Sequence, residues 1–125
     1  MVRQVLVIDD EPSILVITKI SLEATIHWKV LTTTSVLEAL ALADSEPLDA
    51  ILLDVVMPEL DGIAILHKLR SNPHTKDIPV IFLTARARSC ERQALERLGV
   101  AGVITKPFEP NEIAGQIKTL LHWSA

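Results

Sequence analysis

Residues 50–53, Ala-Ile-Leu-Leu, form a short apolar run with no polar side, the pattern of a strand buried on both faces of a sheet. The run stops at Asp54, ahead of a loop marked by Pro58 and Gly62. The same kind of unit recurs. Val5-Leu6-Val7-Ile8 ends in Asp9-Asp10-Glu11-Pro12, residues 78–83 end at Thr84, and residues 100–105 end at Lys106-Pro107. A less buried stretch rich in β-branched residues, 28–34, reads as a further strand. Helical patterns separate them. Residues 13–24 follow Pro12 as a first-turn residue, and Ser35 caps a helix with Val36, Leu40 and Ala43 on one side, stopped by Pro47. Asp61 is the N-cap for residues 62–70, which carry Ile63, Leu66 and Leu69. Residues 87–98 place Ala87, Cys90, Ala94 and Leu98 on one face before a C′ Gly99, and Pro110-Asn111 opens a last helix with Ile113, Ile117, Leu120 and Leu121. Five such βα units predict one α/β domain over residues 1–125, a doubly wound, five-stranded parallel sheet with five helices, because every parallel crossover needs a helix.

Composition narrows the function classes. The 125 residues are 49% hydrophobic and 22% charged, enough for one core. A net charge of −4 without a block of like charges, with no helix-turn-helix unit and no zinc-ligand spacing, argues against nucleic-acid contact by this domain. The single Cys90 cannot form an internal disulfide, and Met1 leads into the first strand without a basic, signal-type segment, which predicts a cytoplasmic setting. No apolar run approaches the roughly 18 residues that span a bilayer.

Chemistry follows from the strand ends. One Asp after a strand is ordinarily a turn or cap residue. Here neighbouring C-terminal edges bring together Asp9, Asp10, Asp54, Thr84 and Lys106, at the side of an open parallel sheet where ligands bind. Two carboxylates 4 Å apart repel by about 4 kcal/mol at an effective dielectric of 20. Lys106 alone does not neutralise three acids, so the site calls for a cation or a protonated acid. Oxygen ligands without His or Cys suit Mg²⁺. Asp54 as nucleophile, with Lys106 and Thr84 to hold phosphoryl oxygens, makes a phosphoryl acceptor.

Four blocks in order, Val5-Leu6-Val7-Ile8-Asp9-Asp10-Glu11-Pro12, Leu53-Asp54-Val55-Val56-Met57-Pro58-Glu59-Leu60-Asp61-Gly62, Phe82-Leu83-Thr84-Ala85 and Thr105-Lys106-Pro107-Phe108, resemble the receiver domains of two-component response regulators. The resemblance implies a flavodoxin-like fold with sheet order 2-1-3-4-5. It implies that Asp54 is the phosphoacceptor and that Asp10, Asp54 and the backbone carbonyl of Val56 ligate Mg²⁺, with Asp9 assisting through water. Thr84 matches the switch hydroxyl and Lys106 the phosphate-binding lysine. Implied partners are a sensor histidine kinase or a histidine phosphotransfer protein, then an output partner or fused output domain, with a phosphorylation-dependent dimer as a further option. The domain is a signalling module rather than an enzyme, with self-phosphorylation and self-dephosphorylation its only activities. Met1 directly before the first strand favours a stand-alone or N-terminal receiver. The positions that tune hydrolysis in the family are Val56 and Arg86 here, and an apolar Val56 predicts slow loss of phosphate.

One position departs from the family. Receivers commonly carry Tyr or Phe three residues before the lysine, and this chain has Val103. The switch is therefore expected to run through reordering of residues 84–88, driven by the new dianion. Two rival readings fit the residues less well. A phosphohydrolase with an aspartyl nucleophile would need an acid shortly after Asp54, where Val56 stands, and a cap over the substrate. A degenerate receiver acting as a phosphorylation-independent interaction module has no need of the clustered acids.

Elsewhere the expectations are structural. The first helix is apolar on several sides, through Ile14, Leu15, Val16, Ile17, Ile20 and Leu22, which predicts a helix lying deep against the sheet, with a partner surface as the alternative for part of the excess. Arg86, Arg88, Arg92 and Arg97 read as a solvated face, and His27, His67, His74 and His122 as surface or half-buried residues. Cys90 and Phe108 read as packing residues. Trp123 reads as a fraying end or a contact to something outside this chain.

Overall fold

The apolar runs are strands, and their side chains alternate between two cores. The structure is a computed structural model that describes residues 2–55, 62–85 and 89–123, with the backbone alone for residues 25, 26 and 89–91. In chain order the elements are β1 (Gln4–Ile8), α1 (Pro12–Ile26), β2 (Lys29–Thr33), α2 (Val36–Ser45), β3 (Ala50–Asp54), α3 (Gly62–Ser71), β4 (Val80–Thr84), α4 (Ser89–Glu96), β5 (Gly102–Thr105) and α5 (Ile113–Leu121). All strand pairs are parallel and the order is β2-β1-β3-β4-β5, so the doubly wound α/β sheet is as expected. Leu6, Ile8, Ile51, Leu53, Phe82 and Val103 face one side, against Ala39, Ala43, Ile65, Leu66, Leu69 and Leu95 of α2, α3 and α4. Val5, Val7, Ala50, Leu52, Ile81, Leu83 and Ile104 face the other, against Leu15 and Leu22 of α1 and Ile113, Ala114 and Ile117 of α5. Both faces of β1, β3 and β4 are thus covered, which is why their sequences show no polar alternation.

Local signals act as read at several ends. Pro12 starts α1, the Ser35 hydroxyl accepts from the Glu38 N–H at 3.3 Å, and Gly99 adopts φ 83° beyond α4. The edge strand β2 is shielded by α1: the Val30 N–H donates to Glu23 at 3.3 Å, and its carbonyl accepts from Lys19 at 2.9 Å.

Other details differ. β4 begins at Val80 rather than residue 78, and β5 at Gly102 rather than 100, because Pro79 and the turn after Gly99 precede the ladders. α5 begins at Ile113, after a turn at Pro110 to Glu112. α4 buries Leu95 rather than Ala94, which is exposed, while Leu98 of the expected apolar face packs against the core. Ala87, Arg86, Arg88, the Asp61 cap and the Cys90 side chain lie outside the described residues.

α1 does not lie deep. Its buried stripe is Leu15, Thr18, Ser21 and Leu22, while Val16, Ile17 and Ile20 are exposed by 55%, 42% and 61%. One helix face contacts a sheet whatever the number of apolar residues, and here the surplus points to solvent. Trp123 is not a fraying end either. His122 takes φ 58°, the Trp123 N–H bonds the Lys118 carbonyl at 2.9 Å, and the indole packs edge-on against buried Trp28 with centroids 5.3 Å apart. The Arg3 guanidinium lies 3.9 Å over the same ring, tying the two ends of the domain together.

Candidate functional site

Four of the five strands, β1, β3, β4 and β5, each deliver one part of the site at the C-terminal edge of the sheet. After β1 the ladder continues for one bond, Asp9 N–H to the Thr33 carbonyl at 3.3 Å, which fixes the backbone of a fully buried Asp9. One Asp9 oxygen accepts the Glu11 N–H at 3.0 Å and the other accepts from Lys106 Nζ at 2.6 Å. A buried carboxylate is thereby satisfied at both oxygens. Asp10, next in the loop, is partly exposed.

Asp54 is the last residue of β3 and is 5% exposed. The backbone after it is held by Val55 N–H to the Leu83 carbonyl at 3.0 Å and by Gly62 N–H to the Val55 carbonyl at 2.8 Å. Gly62 is needed at that contact, since a Cβ there would stand 2.3 Å from the Asp54 carbonyl oxygen. Thr84 ends β4, buried, with its carbonyl accepting the Lys106 N–H at 2.7 Å. That bond carries the chain from β5 into the Lys106 position.

Lys106 Nζ lies 2.6 Å from Asp9, 3.5 Å from Asp54 and 3.7 Å from Glu11, with its side chain 10% exposed. Burial pulls the ammonium's pKa down. The hydrogen bond and charge of Asp9, and the charges of Asp54 and Glu11, outweigh burial and hold it above the ordinary lysine value. Asp9, Asp10 and Asp54 each bring a carboxylate oxygen into one cluster, all within 4.8 Å of one another. An all-oxygen set of this charge, offset among the described residues by the one ammonium of Lys106, fits a hard divalent cation.

The expected residues Asp9, Asp10, Asp54, Thr84 and Lys106 all stand at this edge, and Val56 lies outside the described residues. Glu11 is the part that the sequence reading left without a role. Its signal was its place in the Asp9-Asp10-Glu11 run, but only the fold shows that its carboxylate reaches across to Lys106.

Val103 is 4% exposed and packs with Phe82 and Leu95 in the core on the α4 side, while its carbonyl accepts from Arg92 at 3.4 Å. A groove of about 530 Å³ is lined by Arg92, Val103, Ile104, Gly115 and Leu120, among others, and by none of the site acids. Of the segment expected to reorder, residues 86–88 lie outside the described residues, as does Arg86 as a determinant of hydrolysis. His27, His67, His74 and His122 are exposed, His74 beside Asp44 at 3.2 Å, and the described Arg92 and Arg97 are exposed as well. Phe108 packs beside the core of α1 and α5.

Residues 5–118 match the family model of the response regulator receiver domain. The alkaline phosphatase synthesis transcriptional regulatory protein PhoP of Bacillus subtilis is 36% identical over 124 residues, covering 99% of this chain and 50% of its own length. The chain spans about half the length of the relatives it matches first. Among solved structures, the chemotaxis response regulator CheY4 of Vibrio cholerae superposes with a TM-score of 0.87 at 28% identity, covering 96% of this chain and 99% of that one. The receiver domain of the Francisella response regulator 1452 does so with a TM-score of 0.85 at 29% identity, covering 98% and 99%. No described helix is long and apolar enough to cross a membrane.

Proposed function

The chain belongs to the response regulator receiver domains of two-component signalling, and on that premise we propose that Asp54 accepts a phosphoryl group from a phosphohistidine of a sensor kinase or histidine phosphotransfer protein. The observation that carries this reading is the placement of the Asp54 carboxylate at a strand end, 3.5 Å from the Lys106 ammonium and inside the acid cluster. In the transfer the donor's nitrogen–phosphorus bond breaks as a bond from an Asp54 oxygen to phosphorus forms, and the imidazole departs. Burial of Asp54 and the backbone bonds around Val55 and Gly62 hold the attacking oxygen in place. Lys106 moves its hydrogen bond from Asp9, and its ion pairing from Asp54, to phosphoryl oxygens, and the Thr84 hydroxyl donates to another. Asp10 and Asp54, with Asp9 through water and, as the resemblance implies, the carbonyl of Val56, would hold Mg²⁺, which would neutralise charge on the carboxylates and phosphoryl oxygens.

The domain, taken as the whole of residues 1–125, works as a cytoplasmic signalling switch whose self-phosphorylation and self-dephosphorylation are its only chemistry. Its phosphorylated state is read by a partner protein or a fused output domain, or through a dimer. The test is the intact mass after incubation with Mg²⁺ and an acyl phosphate. A single phosphoryl adduct that requires both Mg²⁺ and Asp54, and is lost in Asp54→Ala, is the expected result. No adduct on the wild type, while a control receiver is modified alongside, would overturn it in favour of a phosphorylation-independent interaction module.

A further inference from the structure

The backbone of Glu11 starts α1, but its side chain has no capping task that explains a charge at this place. It is the residue before α1, yet its side chain makes no capping hydrogen bond, and it is 58% exposed. Its carboxylate nevertheless stands 3.7 Å from Lys106 Nζ, whose other two acidic partners, Asp9 and Asp54, are buried. The solvent side of the lysine is thus occupied by an acid that belongs neither to the expected metal set nor to the acceptor.

We propose that Glu11 is a positioning residue that holds the Lys106 ammonium toward the mouth of the site and slows entry of doubly charged phosphoryl donors. The inference rests on the phosphoacceptor reading above. Two effects act in the same direction. A cation held by the buried acids would draw them away from Lys106 and leave Glu11, 3.7 Å from Nζ, as the carboxylate that still competes with incoming phosphoryl oxygens for the ammonium. Its negative charge, exposed and 3.7 Å from Lys106 Nζ, also repels an anionic donor that comes to the ammonium, and exposure makes that repulsion sensitive to salt. With acetyl phosphate the donor's phosphorus–oxygen bond breaks as the Asp54 oxygen–phosphorus bond forms and acetate leaves; with phosphoramidate the phosphorus–nitrogen bond breaks and ammonia leaves, in both cases with no net proton transfer.

The experiment compares wild type, Glu11→Gln and Glu11→Asp at saturating Mg²⁺. It follows phosphoprotein formation with acetyl phosphate, a dianion, and with phosphoramidate, which carries a single net negative charge near neutral pH. Glu11→Gln keeps the volume of an exposed side chain and should take up phosphate from acetyl phosphate about three- to tenfold faster at low ionic strength, the scale of one exposed unit charge acting on a dianion. The gain should shrink with phosphoramidate and with added salt, and Glu11→Asp should return toward wild type. A merely structural role for Glu11 would change both donors alike and would not respond to salt. Equal rates for Glu11→Gln and wild type with acetyl phosphate at low salt would overturn the proposal. A wild type that forms no adduct would instead overturn the phosphoacceptor reading itself, so the two failures are distinct.

Discussion

Replacing Asp54 with Asn should stabilise the metal-free protein, even though it removes an ion-pair partner of a buried lysine. Oxygens of Asp9, Asp10 and Asp54 lie within 4.8 Å of one another. At an effective dielectric of 20, each of the two repulsions involving Asp54 is then at least about 3.5 kcal/mol. The attraction to Lys106 acts across 3.5 Å and is about 4.7 kcal/mol on the same scale. The difference is a net repulsion of about 2 kcal/mol, reduced toward about 1 kcal/mol by salt at the partly exposed Asp10. Asn keeps the shape and an oxygen acceptor, so packing around β3 is preserved.

The assay is urea unfolding in a chelator and in excess Mg²⁺. With a typical m-value for a small domain, Asp54→Asn should raise the midpoint in chelator by about 0.5–1 M. Mg²⁺ should stabilise the wild type by mass action and the variant much less, closing or reversing the gap. A variant midpoint in chelator at or below that of the wild type would refute the reasoning, since the lysine attraction would then exceed the repulsion among the acids.

Three further outcomes are expected. Lys106 has its pKa raised above 10.5 in the folded chain, so its stabilisation is complete below that pH and is lost as pH rises through the raised value. The stability difference between wild type and Lys106→Met should accordingly be level in the neutral range and shrink above pH 10.5, and a difference that stays level through the alkaline range in urea titrations would contradict the ion-pair assignment. Trp123→Ala should cost about 2 kcal/mol by removing the contact with Trp28 and the Arg3 stack, and an unchanged unfolding midpoint would show the C-terminal indole to be idle. Gly62→Ala should cost about 1–3 kcal/mol or more, because a Cβ meets the Asp54 carbonyl oxygen and the Val55 Cα rather than a flexible side chain, and it should slow phosphoryl uptake; retention of both stability and uptake would count against the tight contact.

What could be read from the sequence was whatever a short stretch decides by itself. Residues 50–53 are fully buried because both faces of β3 are covered, and a run without polar residues says as much. The acids, the hydroxyl and the lysine fell at strand ends, and parallel winding then gathers those ends at one edge, so Asp9, Asp10, Asp54, Thr84 and Lys106 could be grouped before any coordinates. The phase of α4 could not be read the same way. In a helix this polar, Ala94 and Leu95 each make an acceptable face, and only the sheet beneath selects Leu95. Nor could Trp123, whose partners Trp28 and Arg3 lie far away in the chain, with no periodicity linking them.

The same division separates Glu11 from its neighbours. Asp9 and Asp10 follow directly from the strand, so their direction is set by the ladder that ends at the Asp9 N–H. Glu11 begins the turn into α1, where a charged residue ordinarily faces water, and its reach to Lys106 depends on how β5 delivers that lysine through the bond to the Thr84 carbonyl. The lysine is therefore shared by three acids drawn from two loops, one of them open to solvent. A core covered on both faces can carry the repulsion at this edge because every strand contributing to the site is anchored in apolar layers beneath it. The edge itself gains charge balance only when a cation or a ligand's rearrangement of Lys106 supplies it, so binding changes local stability where Asp54 sits.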